Sequence, residues 1–119
     1  MRKDYFYISD KDPETKEISA LKVTGYSEGD IGVHKTKDYW TATHIPTGLR
    51  LTSYENLGKH KTRQQALKEA NKVLENPVCE KSIEKHKETE AYEAFRQSRY
   101  NQTVSTLHCK EISKILEGR

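Results

Sequence analysis

Apolar residues in this sequence never run on for anything near the ~18 that a bilayer-crossing helix needs, so no membrane-spanning helix is expected. Cysteine is scarce: Cys79 and Cys109 are the two present, and they lie far apart. The opening residues, Met-Arg-Lys-Asp-Tyr-Phe-Tyr, lack the apolar stretch of a secretory signal. The two observations together lead us to expect a cytoplasmic protein with reduced thiols. The Asn101-Gln102-Thr103 sequon then carries no meaning. There are three prolines and six scattered glycines, and none forms a glycine-rich phosphate loop.

Metal-site spacings are missing as well. Neither a CxxC nor an HxxxH pair occurs, and Cys79, His86, His108 and Cys109 are not spaced like a zinc cluster. His34, His44 and His60 share one segment that holds few acidic ligands. No metal and no cofactor are expected. Catalytic pairings fare no better. His108 and Cys109 are adjacent, and neighbours on a helix point about 100° apart. Carboxylates crowd together only at Glu80, Glu84, Glu88, Glu90 and Glu93, which read as a solvated helix face. The expectation is a protein that is not an enzyme and has no catalytic residues.

What remains is a short chain of 119 residues, rich in charge and tyrosine. Leu, Ile, Val and Phe together number 22, under a fifth of the chain. Such a share signals disorder only when net charge is high. Here the formal charge is +3, and seven tyrosines add area that can be buried. A folded domain with a thin core is expected, which leaves room for a partner surface or a homodimer. The charge is unevenly spread. Residues 1–30 carry 5 basic and 7 acidic groups, residues 31–63 carry 6 and 2, and residues 64–119 carry 10 and 9.

The positive segment also has the clearest local structure. Residues 31–35 suit a strand, and Thr36-Lys37-Asp38 a tight connection. Residues 39–45, Tyr-Trp-Thr-Ala-Thr-His-Ile, are the aromatic and β-branched types of a half-buried strand. Alternation puts Tyr39, Thr41, Thr43 and Ile45 on one face and Trp40, Ala42 and His44 on the other. Pro46-Thr47-Gly48 is a turn, and residues 49–52 a further strand. Thr62-Arg63-Gln64-Gln65 is a capping box, with the Gln65 side chain expected to return to the Thr62 N–H. Ala66, Leu67, Ala70, Val73 and Leu74 then fall on one helix face, and Asn76-Pro77 ends the helix.

The flanks are plainer. Residues 5–8 and 18–23 suit strands around an Asp10-Lys11-Asp12-Pro13 turn, with Ile18, Ala20 and one of Leu21 or Val23 facing inward. Residues 25–30 read as a loop. From Glu80 the chain turns helical. Ile83, Ala91, Ala94 and Phe95 make one stripe; Val104, Leu107, Ile112, Ile115 and Leu116 make another, closed by Gly118. Residues 98–102 are either a break between two helices or part of one. The fold class expected is α+β: an N-terminal antiparallel sheet of three to five strands packed on one helix, followed by two C-terminal helices. Residues 1–78 form the sheet-and-helix module and residues 79–119 the helical extension.

Lys59, His60, Lys61 and Arg63 crowd the start of the first helix, where partial positive charge already sits. That arrangement suits a bound anion, and it equally suits a solvated loop. Lys35, Lys37 and Arg50 lie near Tyr39 and Trp40, the interleaving of cations and aromatics that grips a nucleic acid. A lone Trp, however, more often anchors a core. The expected binding surface, for an anion, a nucleic acid or a partner, is thus Lys35, Lys37, Tyr39, Arg50, Lys59, His60, Lys61 and Arg63. Glu80, Glu84 and Glu88 are the expected acidic partner face.

The series Tyr39-Trp40, Thr43-His44, Thr47-Gly48, Thr62-Arg63 and Ala66 resembles the sheet-plus-helix modules of small phage and mobile-element proteins. In outline it is similar to the arm-type DNA-binding domains of tyrosine integrases. That likeness covers residues 31–76 and implies a sheet entering the DNA major groove, with Lys35, Lys37, Thr41, Thr43 and Arg50 reading it. The absence of a catalytic domain and the Glu-rich end depart from that family. Small size and missing chemistry also resemble accessory proteins of the anti-CRISPR type. The function expected is a phage or mobile-element accessory that inhibits a host defence complex by stoichiometric binding. Its partner would be a host protein or protein–nucleic-acid complex in the host cytosol, and its Glu-rich face would imitate phosphate. The other expectation is a module that binds DNA or RNA through residues 31–63. Neither involves a membrane.

Overall fold

The computed structural model describes residues 1–51 and 59–117, with side chains up to residue 103. Five antiparallel strands follow one another in chain order: β1 (Arg2–Lys11), β2 (Ile18–Glu28), β3 (Ile31–Thr36), β4 (Tyr39–His44) and β5 (Leu49–Arg50). Three helices follow: α1 (Arg63–Glu75), α2 (Pro77–His86) and α3 (Glu90–Glu117). The fold is α+β, and the sheet does not close on itself. No described helix is long and apolar enough to cross a membrane.

Tight local chemistry turns the chain between strands. Asp12 Oδ1 accepts from the Glu14 and Thr15 amides, folding the chain back from β1 to β2. Residues 25–30, expected as a loop, are corrected: β2 continues to Glu28, and only Gly29-Asp30 turns, with Gly29 at φ 58°. The glycines in this stretch suggested a loop, but Gly25 has a packing reason. A Cβ there would stand 2.1 Å from the Val33 carbonyl oxygen. Only a bare backbone lets β2 come this close to β3.

β2 pairs with β1 along its whole length but with β3 only at Tyr26, Ser27 and Glu28. The long hairpin therefore curls away from the rest of the sheet. The Ser9 amide donates to the Gly48 carbonyl at 3.0 Å, bringing the far end of β1 to the turn after β4. The sheet thus has two buried sides. On one, Ile31, Val33, Ala42 and Leu51 pack beneath Ala66 and Ala70 of α1. Trp40, Leu67, Val73 and Leu74 border this cluster, so the lone Trp does join the core, while staying half-exposed. On the other, Phe6 stacks edge-on to His34 and lies over Gly32.

α1 follows its sequence signals closely. Thr62 caps it, its hydroxyl accepting from the Gln65 amide at 3.2 Å. Gln65 Oε1 reaches back to the Lys61 amide rather than to that of Thr62, one residue earlier than expected. Asn76 ends α1 and also caps α2, its Oδ1 accepting from the Val78 amide with Pro77 at the first helical position. The helical extension therefore starts at Pro77 and not at Glu80, and the expected division after residue 78 falls inside α2. Of the two alternatives for residues 98–102, the continuous helix is the one found: α3 runs unbroken through them, and the chain breaks instead at residues 87–89, where Thr89 Oγ1 accepts from the Tyr92 amide. Ile83 consequently belongs to a different helix from Ala91, Ala94 and Phe95. The side chains of the second stripe, Cys109 and Gly118 lie outside the described residues.

α3 docks on the edge of β2 that β3 leaves free. Ser98 Oγ accepts from the Ala20 amide at 3.0 Å, and Gln102 Nε2 donates to the Ala20 carbonyl at 2.5 Å. Two side chains one helical turn apart thus satisfy both backbone groups of one strand residue on the edge that β3 leaves open. Ala20 is buried and Ile18 half-buried, as the pattern suggested; Leu21 is exposed and Val23 half-buried.

Candidate functional site

The isolated bridge between Trp40 and His60 organises the basic surface. Trp40 donates to His60 O at 2.7 Å, and His60 donates back to Trp40 O at 3.0 Å. This places residues 59–61 beside β4 in the lane that β5 begins. Lys35 pairs with Trp40 in the β3–β4 ladder, so Lys35, Trp40 and His60 form a row across three neighbouring backbones. Lys37 is exposed at the tip of that hairpin with φ 53°.

Four lysines line one hollow of ≈ 400 Å³ along α1: Lys59, Lys61, Lys68 and Lys72. At about 100° per residue, positions 65, 68 and 72 of α1 fall within a narrow stripe, and Lys59 and Lys61 border the same hollow just ahead of the helix, so the four lysines form one ridge. Glu69 is the one carboxylate among the lining residues. No ion pair joins any of the four lysines to a described carboxylate. Lys68 and Lys72 lie outside the surface expected from the sequence, although their four-residue spacing on one helix is visible there.

The expected surface divides on inspection. Lys35, Lys37, Lys59 and Lys61 are exposed at one end of the meander. Arg50 is exposed further along, paired with Thr43. Lys59 Nζ stands 5.7 Å from the half-buried Tyr39 ring. Arg63 leaves the group: its guanidinium lies 4.1 Å above the Tyr26 ring, where it packs α1 onto β2. His60 is only 5 % exposed and cannot offer its ring to a large ligand. Thr41 and Thr43, expected to read DNA, are 1 % and 2 % exposed. Both faces of β4 are covered, because the sheet curls over one and α1 lies on the other, so β4 cannot enter a groove. At the helix start Thr62 Oγ1 takes up the Gln65 amide, and Gln65 Oε1 takes up the Lys61 amide just ahead of the cap.

The acidic face is broken. Glu80 and Glu84 lie one turn apart on α2, but α2 ends at His86 and leaves Glu88 off the helix. Glu84 also accepts from Lys87 at 3.3 Å. Lysines 81 and 85 alternate with these acids. Among the described residues, no group of three His, Cys, Asp or Glu side chains gathers as metal ligands.

The curled side of the sheet holds a polar interior. His34 Nε2 hydrogen-bonds Thr36 Oγ1 at 3.1 Å, while His34 Nδ1 and Thr41 Oγ1 are buried without hydrogen-bond partners. On the opposite face, in register with Ile31, His44 Nδ1 and Thr47 Oγ1 are 2.8 Å apart. Burial, and secondarily the Arg50 cation, hold the His34 pKa below its usual value. Burial does the same for His44; the Asp30 carboxylate opposes it and the Lys87 cation adds to it. Lowered values mean that the unfolded chain takes up these protons first as pH falls. The stability these groups lend is complete above the ordinary imidazole pKa of about 6.5 and is lost as pH drops through the folded values. The urea midpoint should therefore fall between neutral pH and pH ~5, above the carboxylate range. The fall should shrink in a His34→Gln variant, and a flat midpoint across that window would refute this account.

No family model, curated protein or solved structure matches this chain.

Proposed function

We propose that this chain is a non-enzymatic binding module that holds the phosphate backbone of a nucleic acid along the lysine ridge of α1. One observation carries the proposal: Lys59, Lys61, Lys68 and Lys72 line a single hollow with no described carboxylate paired to them. Bringing four like charges together on a small domain costs stability, and a polyanion would repay it by releasing its counterions. Lys35 and Lys37 at the hairpin tip extend the same positive surface. The companion reading, stoichiometric inhibition of a host defence complex by a phage accessory, uses Glu80, Glu84 and Glu88 as phosphate mimics. It draws less support, because Glu88 stands off α2 and Glu84 is paired.

The test is fluorescence anisotropy with labelled oligonucleotides over a salt series. With about four phosphates neutralised, log affinity should fall against log salt with a slope of about −3. Replacing all four lysines by Ala should flatten that slope and abolish binding at physiological salt, while the melting temperature stays close to that of the parent. If neither DNA nor RNA binds at low salt, the proposal is wrong and a protein partner becomes the reading to pursue.

A further inference from the structure

The outer face of the β1–β2 hairpin carries a second, differently built surface. Register puts Lys3, Tyr5 and Tyr7 of β1 opposite Tyr26, Thr24 and Lys22 of β2. Tyr5 is 55 % exposed. Tyr5 and Tyr7 meet edge to face, with centroids 6.5 Å apart and planes at 88°. The Lys22 ammonium stands 4.0 Å from the Tyr5 ring centre. Beyond Tyr7 the surface descends into a cleft of ≈ 490 Å³ against α3. Its other wall holds Arg96, Arg99 and Tyr100, and Tyr100 is 64 % exposed. Arg99 lies 5.4 Å from the Phe95 ring. Arg96 is held by Glu93 at 3.2 Å, which makes Glu93 the one carboxylate lining the cleft.

Three tyrosines in or beside one cleft, two of them mostly exposed, are apolar area the fold has left in water. Cations stand around them. Rings with cations between them fit a ligand that alternates flat π-faces with negative charges, which is the repeat of a nucleic-acid strand. In a duplex the bases already stack on each other, and the backbone and base edges are presented but not the base faces. Unpaired bases have free faces.

We propose that Tyr7 and Tyr100 in this cleft, with Tyr5 beside it, stack unpaired bases, making the bound nucleic acid single-stranded. This rests on the nucleic-acid reading of the lysine ridge and names its substrate class. Arg63 of α1 stacks on Tyr26, which shares the hairpin face of Tyr5 and Tyr7. A strand held by the ridge would continue over that face onto the tyrosines. The ridge supplies charge, and the cleft supplies selection by strand state.

The experiment uses the full chain with labelled oligothymidylate and a duplex of equal length, both at low salt. The parent protein should prefer the single strand. A Tyr5→Ala/Tyr100→Ala variant should lose about ten- to a hundredfold in single-strand affinity, with duplex affinity and the salt slope unchanged. Tyr5→Phe/Tyr100→Phe should retain the preference, because the rings remain. Both tyrosines are exposed, so unchanged thermal melts are expected for either variant. Equal affinity for the two nucleic acids, or an Ala variant that binds like the parent, overturns the stacking site and leaves the ridge standing. Failure of both to bind at low salt removes the ridge reading and the stacking site with it.

Discussion

Phe95→Ala is expected to lower the stability of this protein by about 3–5 kcal/mol and its melting temperature by roughly 10–20 °C. Phe95 is wholly buried, on a helix most of whose neighbouring positions face solvent. Its ring rests on Gly48, where a Cβ would stand 2.6 Å away, and Gly48 in turn accepts the Ser9 amide. One ring thus holds α3, the turn after β4 and the end of β1 together. Truncating it leaves a cavity that the surrounding backbone cannot readily fill. Ser98 lies less than a turn further along α3, so its hydrogen bond to Ala20 should loosen as well. Urea unfolding measures the first effect, and hydrogen exchange at the Ala20 amide reads the second. A loss below about 1 kcal/mol with unchanged Ala20 protection would show that α3 is not held this way.

Gly25→Ala should be comparably severe, at about 3 kcal/mol or more, although it adds only a methyl group. The new Cβ would meet Val33 O at 2.1 Å and His34 Cα at 3.1 Å. Both are backbone atoms of β3, so relief requires moving a strand rather than turning a side chain. The β2–β3 ladder is only three pairs long and begins at the adjacent Tyr26, so it has little to resist with. Gly29→Ala is the control. Gly29 has φ 58° with nothing nearby, so its substitution should cost only the left-handed backbone penalty, about 1 kcal/mol. Urea denaturation of the two variants side by side decides the matter. Equal losses would mean that the close approach of β2 to β3 is not what Gly25 is for.

The elements that could be read in advance are those whose causes lie within a few residues. Thr62 and Gln65 close the start of α1 by hydrogen bonds no longer than four residues in sequence. Asn76-Pro77 stops one helix for the same reason that it starts the next, because Pro lacks an amide and fits the first helical turn. The β3–β4 pair followed from its aromatic and β-branched alternation. The basic end of the meander was legible as charge alone, and the stripe of Lys68 and Lys72 was there to be counted.

What could not be read was everything decided by approach between distant segments. Alternation sorted Thr41 and Thr43 onto one face of β4 but could not show that the face would be covered. That depends on how far the β1–β2 hairpin curls, hence on Gly25 meeting β3. His60 looked like part of the exposed basic cluster, but its backbone pairs with Trp40 and draws it inward. Nothing along the chain links Tyr7 to Tyr100, because they are nearly a hundred residues apart. By itself, then, the sequence determined caps, turns, strand character and the sign of the charge, since each is settled by neighbours along the chain. Only the tertiary structure decided which polar residues are buried and which rings share a cleft, because those outcomes depend on backbones meeting across the fold.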